Sequence, residues 1–134
     1  MLPKPHRLAR RRDFNAVYAR KKSWANALLV LHVRWYGRES ADASTRRWGF
    51  SVSKKVGKAH DRNRVKRRLR DVCRLLGSGT DSESWKIGFD AVFVARTPTA
   101  EVAYRELESA VRDLSRRAGL IHSATDAAPS VSNT

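Results

Sequence analysis

The spacing of hydrophobic residues along this 134-residue chain changes several times, and each change marks an element. From about Arg11 to Lys22, Phe14, Val17 and Tyr18 recur at i, i+3 and i+4, the spacing of a short amphipathic helix. From Asn26 to Tyr36 the period falls to two. Leu29, Leu31, Val33 and Trp35 take one side, and Leu28, Val30, His32 and Arg34 the other, which predicts a strand. Arg47 to Ser53 repeats that alternation, with Trp48, Phe50 and Val52 against Gly49, Ser51 and Ser53. The polar connection 37–46 between the two strands predicts an antiparallel pair. A longer helical stripe follows: Val65, Leu69, Val72, Cys73 and Leu76, with Asp61 as N-cap and Gly77 as the C′ residue.

Residues 77–87 read as a loop, and Gly88 to Arg96 as a strongly apolar strand closed by Thr97-Pro98. Thr99 then caps a last helix with the stripe Ala103, Leu107, Ala110, Val111, Leu114 and Ala118, ending at Gly119. Residues 1–10, with two prolines, predict an extended basic arm, and 122–134, small and polar, a disordered tail. One domain over 1–121 is expected. Its class is α+β, a two-layer α/β sandwich of three helices on a sheet of about four strands, without repeats.

Charge adds a constraint that the pattern lacks. The net charge is +15. Residues 1–74 hold 22 Lys/Arg against 5 Asp/Glu, and residues 75–134 hold 6 against 8. All the excess therefore belongs to one part of the chain and implies one basic surface. Such self-repulsion opposes compaction and is relieved by a polyanion, most often nucleic acid. Cys73 is the only cysteine, so no internal disulfide forms, and no Cys/His spacing suggests zinc. The longest apolar run, Ala27 to Leu31, is too short to span a bilayer, and no apolar segment follows the basic N-terminus as a signal peptide requires. A cytoplasmic protein without a membrane partner is expected.

The charge concentrates at 58–74, KAHDRNRVKRRLRDVCR. With about 100° per residue, Val65, Leu69, Val72 and Leu76 share a sector of roughly 60°. Asn63, Lys66, Arg67, Arg70 and Arg74 share a sector of roughly 100° nearly opposite. A solvated face normally mixes signs; this one carries four cations and one amide. Arginine forks match phosphates bidentately, and Asn63 can reach a sugar hydroxyl or base edge. A face built almost wholly for phosphates favours folded RNA over DNA, whose recognition helices carry base-reading side chains.

The stretch Gly57-Lys-Ala-His-Asp-Arg62-Asn63-Arg64-Val-Lys66-Arg67-Arg68-Leu-Arg70 resembles the hallmark of the protein subunit of bacterial ribonuclease P. Arg12-Asp13-Phe14 with Val17-Tyr18, Gly49 to Gly57, Asp90 to Arg96 with Pro98, and Tyr104 to Glu108 resemble further family elements in the same order. The resemblance implies a small mixed sheet with an unusual left-handed βαβ crossover. It implies a catalytic RNA partner, bound through Arg62, Asn63, Arg64, Lys66, Arg67 and Arg70. It also implies a cleft for the single-stranded 5′ leader of precursor tRNA, with Phe14, Tyr18, His32, Ser51, Lys54 and Lys55 as its residues. The expected reaction is endonucleolytic removal of that leader, with Mg²⁺ ions held mainly by the RNA. No catalytic or metal-binding residue and no obligate protein partner is expected in this chain.

The residues suit those roles. Phe14 and Tyr18 are one helical turn apart, so both rings can face one groove and stack on bases without reading them. Gly49, Ser51 and Ser53 make a small, polar sheet face with room for an RNA backbone beside Lys54 and Lys55. Three positions depart from the family pattern: His32 stands where an aromatic residue is common, His60-Asp61 where an apolar pair is common, and Lys21 where glycine is common. A protein nuclease is disfavoured because His6, His32, His60 and His122 and the aspartates show no catalytic spacing. A ribosomal protein would not need the Phe14/Tyr18 groove. A membrane-surface protein would need an apolar insertion face beside its charges.

Overall fold

The computed structural model describes residues 6–37, 45–76 and 84–122. In chain order the elements are α1 (Arg11–Tyr18), β1 (Ser23–Ala25), β2 (Leu29–Trp35), β3 (Arg46–Val52), α2 (Ala59–Leu76), β4 (Ser84–Trp85) and β5 (Phe89–Ala95). A 3₁₀ turn (Thr97–Ala100), α3 (Tyr104–Arg117) and β6 (Ile121–His122) follow.

β5 organises the sheet. It is a nearly continuous apolar run, buried everywhere except at Val94, so it needs neighbours on both edges and cover on both faces. β2 pairs with it antiparallel, Leu29 opposite Ala95 and Trp35 opposite Phe89. β3 pairs with its other edge in parallel, Arg46 opposite Phe89 and Val52 opposite Ala95. β1 adds outside β2, giving a four-stranded sheet of order β1-β2-β5-β3. The class is the expected α+β, but the antiparallel pairing expected between the first two long strands does not form. β5 lies between β2 and β3, because α2 carries the chain across and returns it parallel to β3.

The larger core lies on one face of the sheet. Val65, Leu69, Val72 and Leu76 of α2 and Leu107, Val111 and Leu114 of α3 are buried there against Leu31, Trp48, Phe50 and Phe93. Each fully buried Leu, Val or Phe contributes about 1.5–3 kcal/mol. On the opposite face, Val17 of α1 and Leu8 bury against Val92, with Phe14 and Tyr18 packed on them.

Several local expectations are corrected. The strand expected over 26–36 is β2, shortened to Leu29–Trp35, and an unexpected short strand, β1, precedes it. The turn between them is set by Asn26, whose Oδ1 accepts from the N–H groups of Leu28 (3.1 Å) and Leu29 (2.9 Å). α1 stops at Tyr18, short of Lys22, and Lys21 adopts φ 55°, a left-handed conformation that glycine takes more easily. Asp61 is not the N-cap of α2; it lies in the first turn, and its carboxylate sits over Gly57, where a Cβ would be 2.8 Å from Oδ2. Thr99 belongs to the 3₁₀ turn, its hydroxyl donating to the Arg96 carbonyl (2.8 Å), and Ala103 precedes α3.

The 77–87 loop and the tail are also revised. Trp85 pairs with Ile121 in a two-stranded ladder, β4 with β6, so residue 122 belongs to a strand. The Trp85 indole donates to the Cys73 carbonyl (2.7 Å) and its ring meets Trp48 edge-on at 5.0 Å. Gly119 takes φ 75° at the end of α3, as expected of a C′ glycine. Readings on residues 1–5, 38–44, 77–83 and 123–134, Gly77 included, lie outside the described residues. No described helix is long and apolar enough to cross a membrane.

Candidate nucleic-acid interface

The arm is partly built into the sheet. Arg7 forms a parallel bridge with Trp48, and the Leu8 N–H donates to the Trp48 carbonyl at 2.8 Å. α1 then starts at Arg11 and lays Phe14 directly on Gly49. A Cβ on Gly49 would stand 2.6 Å from Cζ and 2.7 Å from Cε1 of that ring. The space expected for an RNA backbone over the small sheet face is therefore taken, at Gly49, by Phe14.

Tyr18 covers the next part of that face. Its ring meets His32 edge-on at 4.9 Å, and its hydroxyl is hydrogen-bonded to Ser51. Burial raises the Tyr18 pKa, the Ser51 hydrogen bond opposing it, and burial lowers that of His32. Phe14, Tyr18, Phe50, Ser51, Val52 and Lys66 line a cleft of about 540 Å³. A second hollow of about 520 Å³ continues it toward the arm, where Arg7, Trp48 and Arg70 join Phe14, Phe50 and Lys66. The two rings thus share one cleft with cations of α2. Lys54 and Lys55 are exposed in the turn after β3 and do not line it; Lys55 borders a separate hollow with Ser53, Arg96 and Pro98.

On α2, Asn63, Lys66, Arg67 and Arg70 border a third hollow of about 460 Å³ together with Asp71. Lys66 and Arg70 therefore belong to the helix face and to the cleft at once. Arg62 is half-buried at the start of the same helix. Arg64 departs from the group. Its Nη2 donates to the Ala100 carbonyl at 2.8 Å and stands 3.8 Å from Asp61. Arg68 does likewise one turn later, donating to the Val102 carbonyl at 3.1 Å. These two arginines tie α2 to the 3₁₀ turn and to the segment between it and α3, on a flank that the helical wheel places well away from Lys66.

Sequence reasoning passed over a buried polar network beside the cleft. Asp90 is fully buried on the α1 side of β5. Arg47 grips it with Nε (3.0 Å) and Nη2 (2.8 Å), and the Tyr36 hydroxyl also donates to it. Arg47 Nη2 reaches the Tyr36 oxygen at 3.0 Å, and Nη1 lies 4.0 Å from Asp13 of α1. The hydrogen bonds to Asp90 raise the Arg47 pKa above its ordinary value, and burial, with Asp90 beside it, raises that of Tyr36. The available signal was an aspartate at the start of an otherwise apolar strand, which needs a buried partner.

A basic α+β domain, with a cationic helix face running into a ring-lined cleft, is an RNA-binding protein by its chemistry. The family described as Ribonuclease P matches residues 2–119. The ribonuclease P protein component of Alkaliphilus oremlandii is 41% identical over 119 residues, covering 89% of this chain and 96% of its own. That of Clostridium novyi is 40% identical over 119 residues, covering 89% and 98%. Among solved structures, the RNase P protein of Staphylococcus aureus superposes with a TM-score of 0.72 at 26% identity, covering 87% of this chain and 98% of that one. The protein from Thermotoga maritima superposes with a TM-score of 0.67 at 30% identity, covering 83% and 96%. The chain belongs to the bacterial ribonuclease P protein family, subunits of a tRNA-processing endoribonuclease that also contains RNA.

Proposed function

We propose that this subunit performs two binding tasks within ribonuclease P. The face of α2 with Asn63, Lys66, Arg67 and Arg70, extended by Arg62, holds phosphates of the catalytic RNA. The cleft between α1 and α2 holds the single-stranded 5′ leader of precursor tRNA, so that the bond to be cut is presented to the RNA. Cleavage then leaves a mature tRNA with a 5′-phosphate. One observation carries this reading: two aromatic rings a helical turn apart share a cleft with Lys66, and its extension toward the arm adds Arg70.

Rings that stack on any base at about 1–3 kcal/mol each suit a site that must accept every leader. His32 acts through Tyr18, whose ring it supports. Lys54, Lys55 and Arg96 lie beyond the end of β3, where a strand leaving the cleft would carry its phosphates. Arg64, engaged with the Ala100 carbonyl, serves the catalytic RNA mainly by fixing the start of α2. Mg²⁺ enters through the RNA partner. The steps assigned to this chain are binding steps, carried out in the cytoplasm.

Reconstitution with the catalytic RNA at low Mg²⁺, with and without the protein, tests the reading. The protein should restore cleavage of precursor tRNA. Phe14→Ala should weaken precursor binding by roughly 5- to 100-fold and leave mature tRNA binding unchanged. Equal losses for both substrates would remove Phe14 from the leader site.

A further inference from the structure

α1 and α2 lie on opposite faces of the sheet, yet both line one cleft. Phe14 and Tyr18 enter it from one side and Lys66 from the other, with Phe50, Ser51 and Val52 between them. A cleft joins two faces of a sheet only around an edge. That edge is β3, the last strand in the order β1-β2-β5-β3. The floor of the cleft is therefore a strand edge, not a sheet face.

The direction of the backbone groups along this edge follows from the pairing. The Trp48 carbonyl accepts from Leu8 of the arm, so it points away from β5. The Thr45 carbonyl accepts from the Phe89 N–H at 3.3 Å, so it points toward β5. In a strand, the N–H and C=O of one residue point to the same side, and the side alternates along the chain. Phe50 and Val52 therefore turn their N–H and C=O groups outward, as Trp48 does. The arm occupies the edge at Trp48 and then turns into α1. Among the described residues, no partner outside the sheet bonds the backbone of Phe50 or Val52. The face beside them is closed, because Phe14 covers Gly49 and Tyr18 engages Ser51.

We propose that the peptide N–H groups of Phe50 and Val52 donate hydrogen bonds to the RNA strand in the cleft, which lies along the β3 edge beyond the arm. The inference rests on the leader-binding reading above and deepens it. A single-stranded nucleotide offers phosphate, ribose and base-edge acceptors. A peptide N–H addresses any of them without reading sequence, as stacking on Phe14 and Tyr18 also does. The other ordinary occupant of an open edge is a polypeptide strand. Cations beside paired rings favour the nucleotide chain, whose charge and bases match both.

The test removes each N–H without touching a side chain. Phe50 and Val52 are replaced, one at a time in the full chain, by their α-hydroxy acid analogues, so that an ester stands for the amide. Holoenzymes reconstituted with the catalytic RNA are then titrated with precursor and mature tRNA over a range of salt. Each ester should weaken precursor binding roughly three- to tenfold and spare mature tRNA. The salt slope should not change, because no cation is lost. In the unaltered protein, the amide resonances of Phe50 and Val52 should shift when a short single-stranded RNA is added, a readout that needs no variant to fold. Parent-like precursor affinity in both esters, with unmoved amides, overturns the inference. Amides that respond to an added peptide but not to RNA overturn it too. Phe14→Ala separates the two levels. If it weakens leader binding while the esters do not, the edge inference fails and the cleft reading stands; if neither has an effect, both fail.

Discussion

Replacing Gly49 by alanine puts a methyl group where the Phe14 ring now sits. The added Cβ would lie 2.6 Å from Cζ and 2.7 Å from Cε1 of the ring, and 3.2 Å from the Leu8 Cβ. Carbon atoms are most favourably about 3.5–4.0 Å apart, so the ring must retreat by about 1 Å. Phe14 belongs to a helix of 8 residues, and that retreat either lifts α1 or tips the ring into the cleft. Overpacking of this kind costs about 1–3 kcal/mol, and replacing glycine within a strand returns about 0.5–1 kcal/mol. A net loss of about 1–2 kcal/mol is expected, lowering the thermal midpoint by roughly 3–10 °C. Precursor tRNA affinity of the reconstituted enzyme should fall while mature tRNA affinity holds. The decisive comparison uses Phe14→Ala as background, where the clash with the ring is gone and only the milder contact with the Leu8 Cβ remains. There Gly49→Ala should be neutral or stabilising, a coupling of at least about 1 kcal/mol between the two sites. Equal destabilisation by Gly49→Ala in both backgrounds would falsify the claim that this glycine exists to seat the ring.

Other substitutions probe separate parts of the molecule. Asp90→Ala leaves Arg47 without its buried partner and should cost about 3 kcal/mol of stability in chemical denaturation; a loss under about 1 kcal/mol would mean that water replaces the carboxylate. Arg67→Ala should lower the salt slope of catalytic-RNA binding by about one unit. Arg64→Ala should instead lower thermal stability, through the lost bond to Ala100, with a smaller change in slope; a full unit for Arg64 would place it among the phosphate contacts. His32, its pKa depressed by burial, should titrate below the ordinary histidine value by NMR. Because the unfolded chain then binds the proton more readily, the stability His32 contributes is present above the unfolded pKa. It is lost as pH falls through that value toward the folded one, and His32→Gln should flatten this part of the pH profile.

The elements most legible in the sequence were those whose period is set by burial on one face. The α2 stripe of Val65, Leu69, Val72 and Leu76, and the alternation in β2 and β3, are direct consequences of one-sided packing. What could not be read was which strand lies beside which. Nothing in Phe50 or Leu31 states that Phe93 will come between them, because pairing is decided by where α2 returns the chain. Two-residue strands such as β4 and β6 are too short to show any period, and they exist only because Trp85 is drawn into the core. The candidate site shows the same division. The cations and rings were visible as residue types at helical spacing, and Asn63, Lys66, Arg67 and Arg70 do converge. The turning away of Arg64 depends on the Ala100 carbonyl, contributed 36 residues later, which no local pattern encodes.

The open edge of β3 also bears on how the protein behaves before it meets RNA. Unpaired strand edges are ordinary seeds for aggregation between identical molecules. Two copies meeting edge to edge here would press Arg11, Lys66 and Arg70 of one against the same residues of the other. Like-charge repulsion thus guards the edge against self-association while leaving it available to an anionic chain. That guard is weakened as ions screen it, so concentrated salt without RNA is the condition in which this protein should precipitate first.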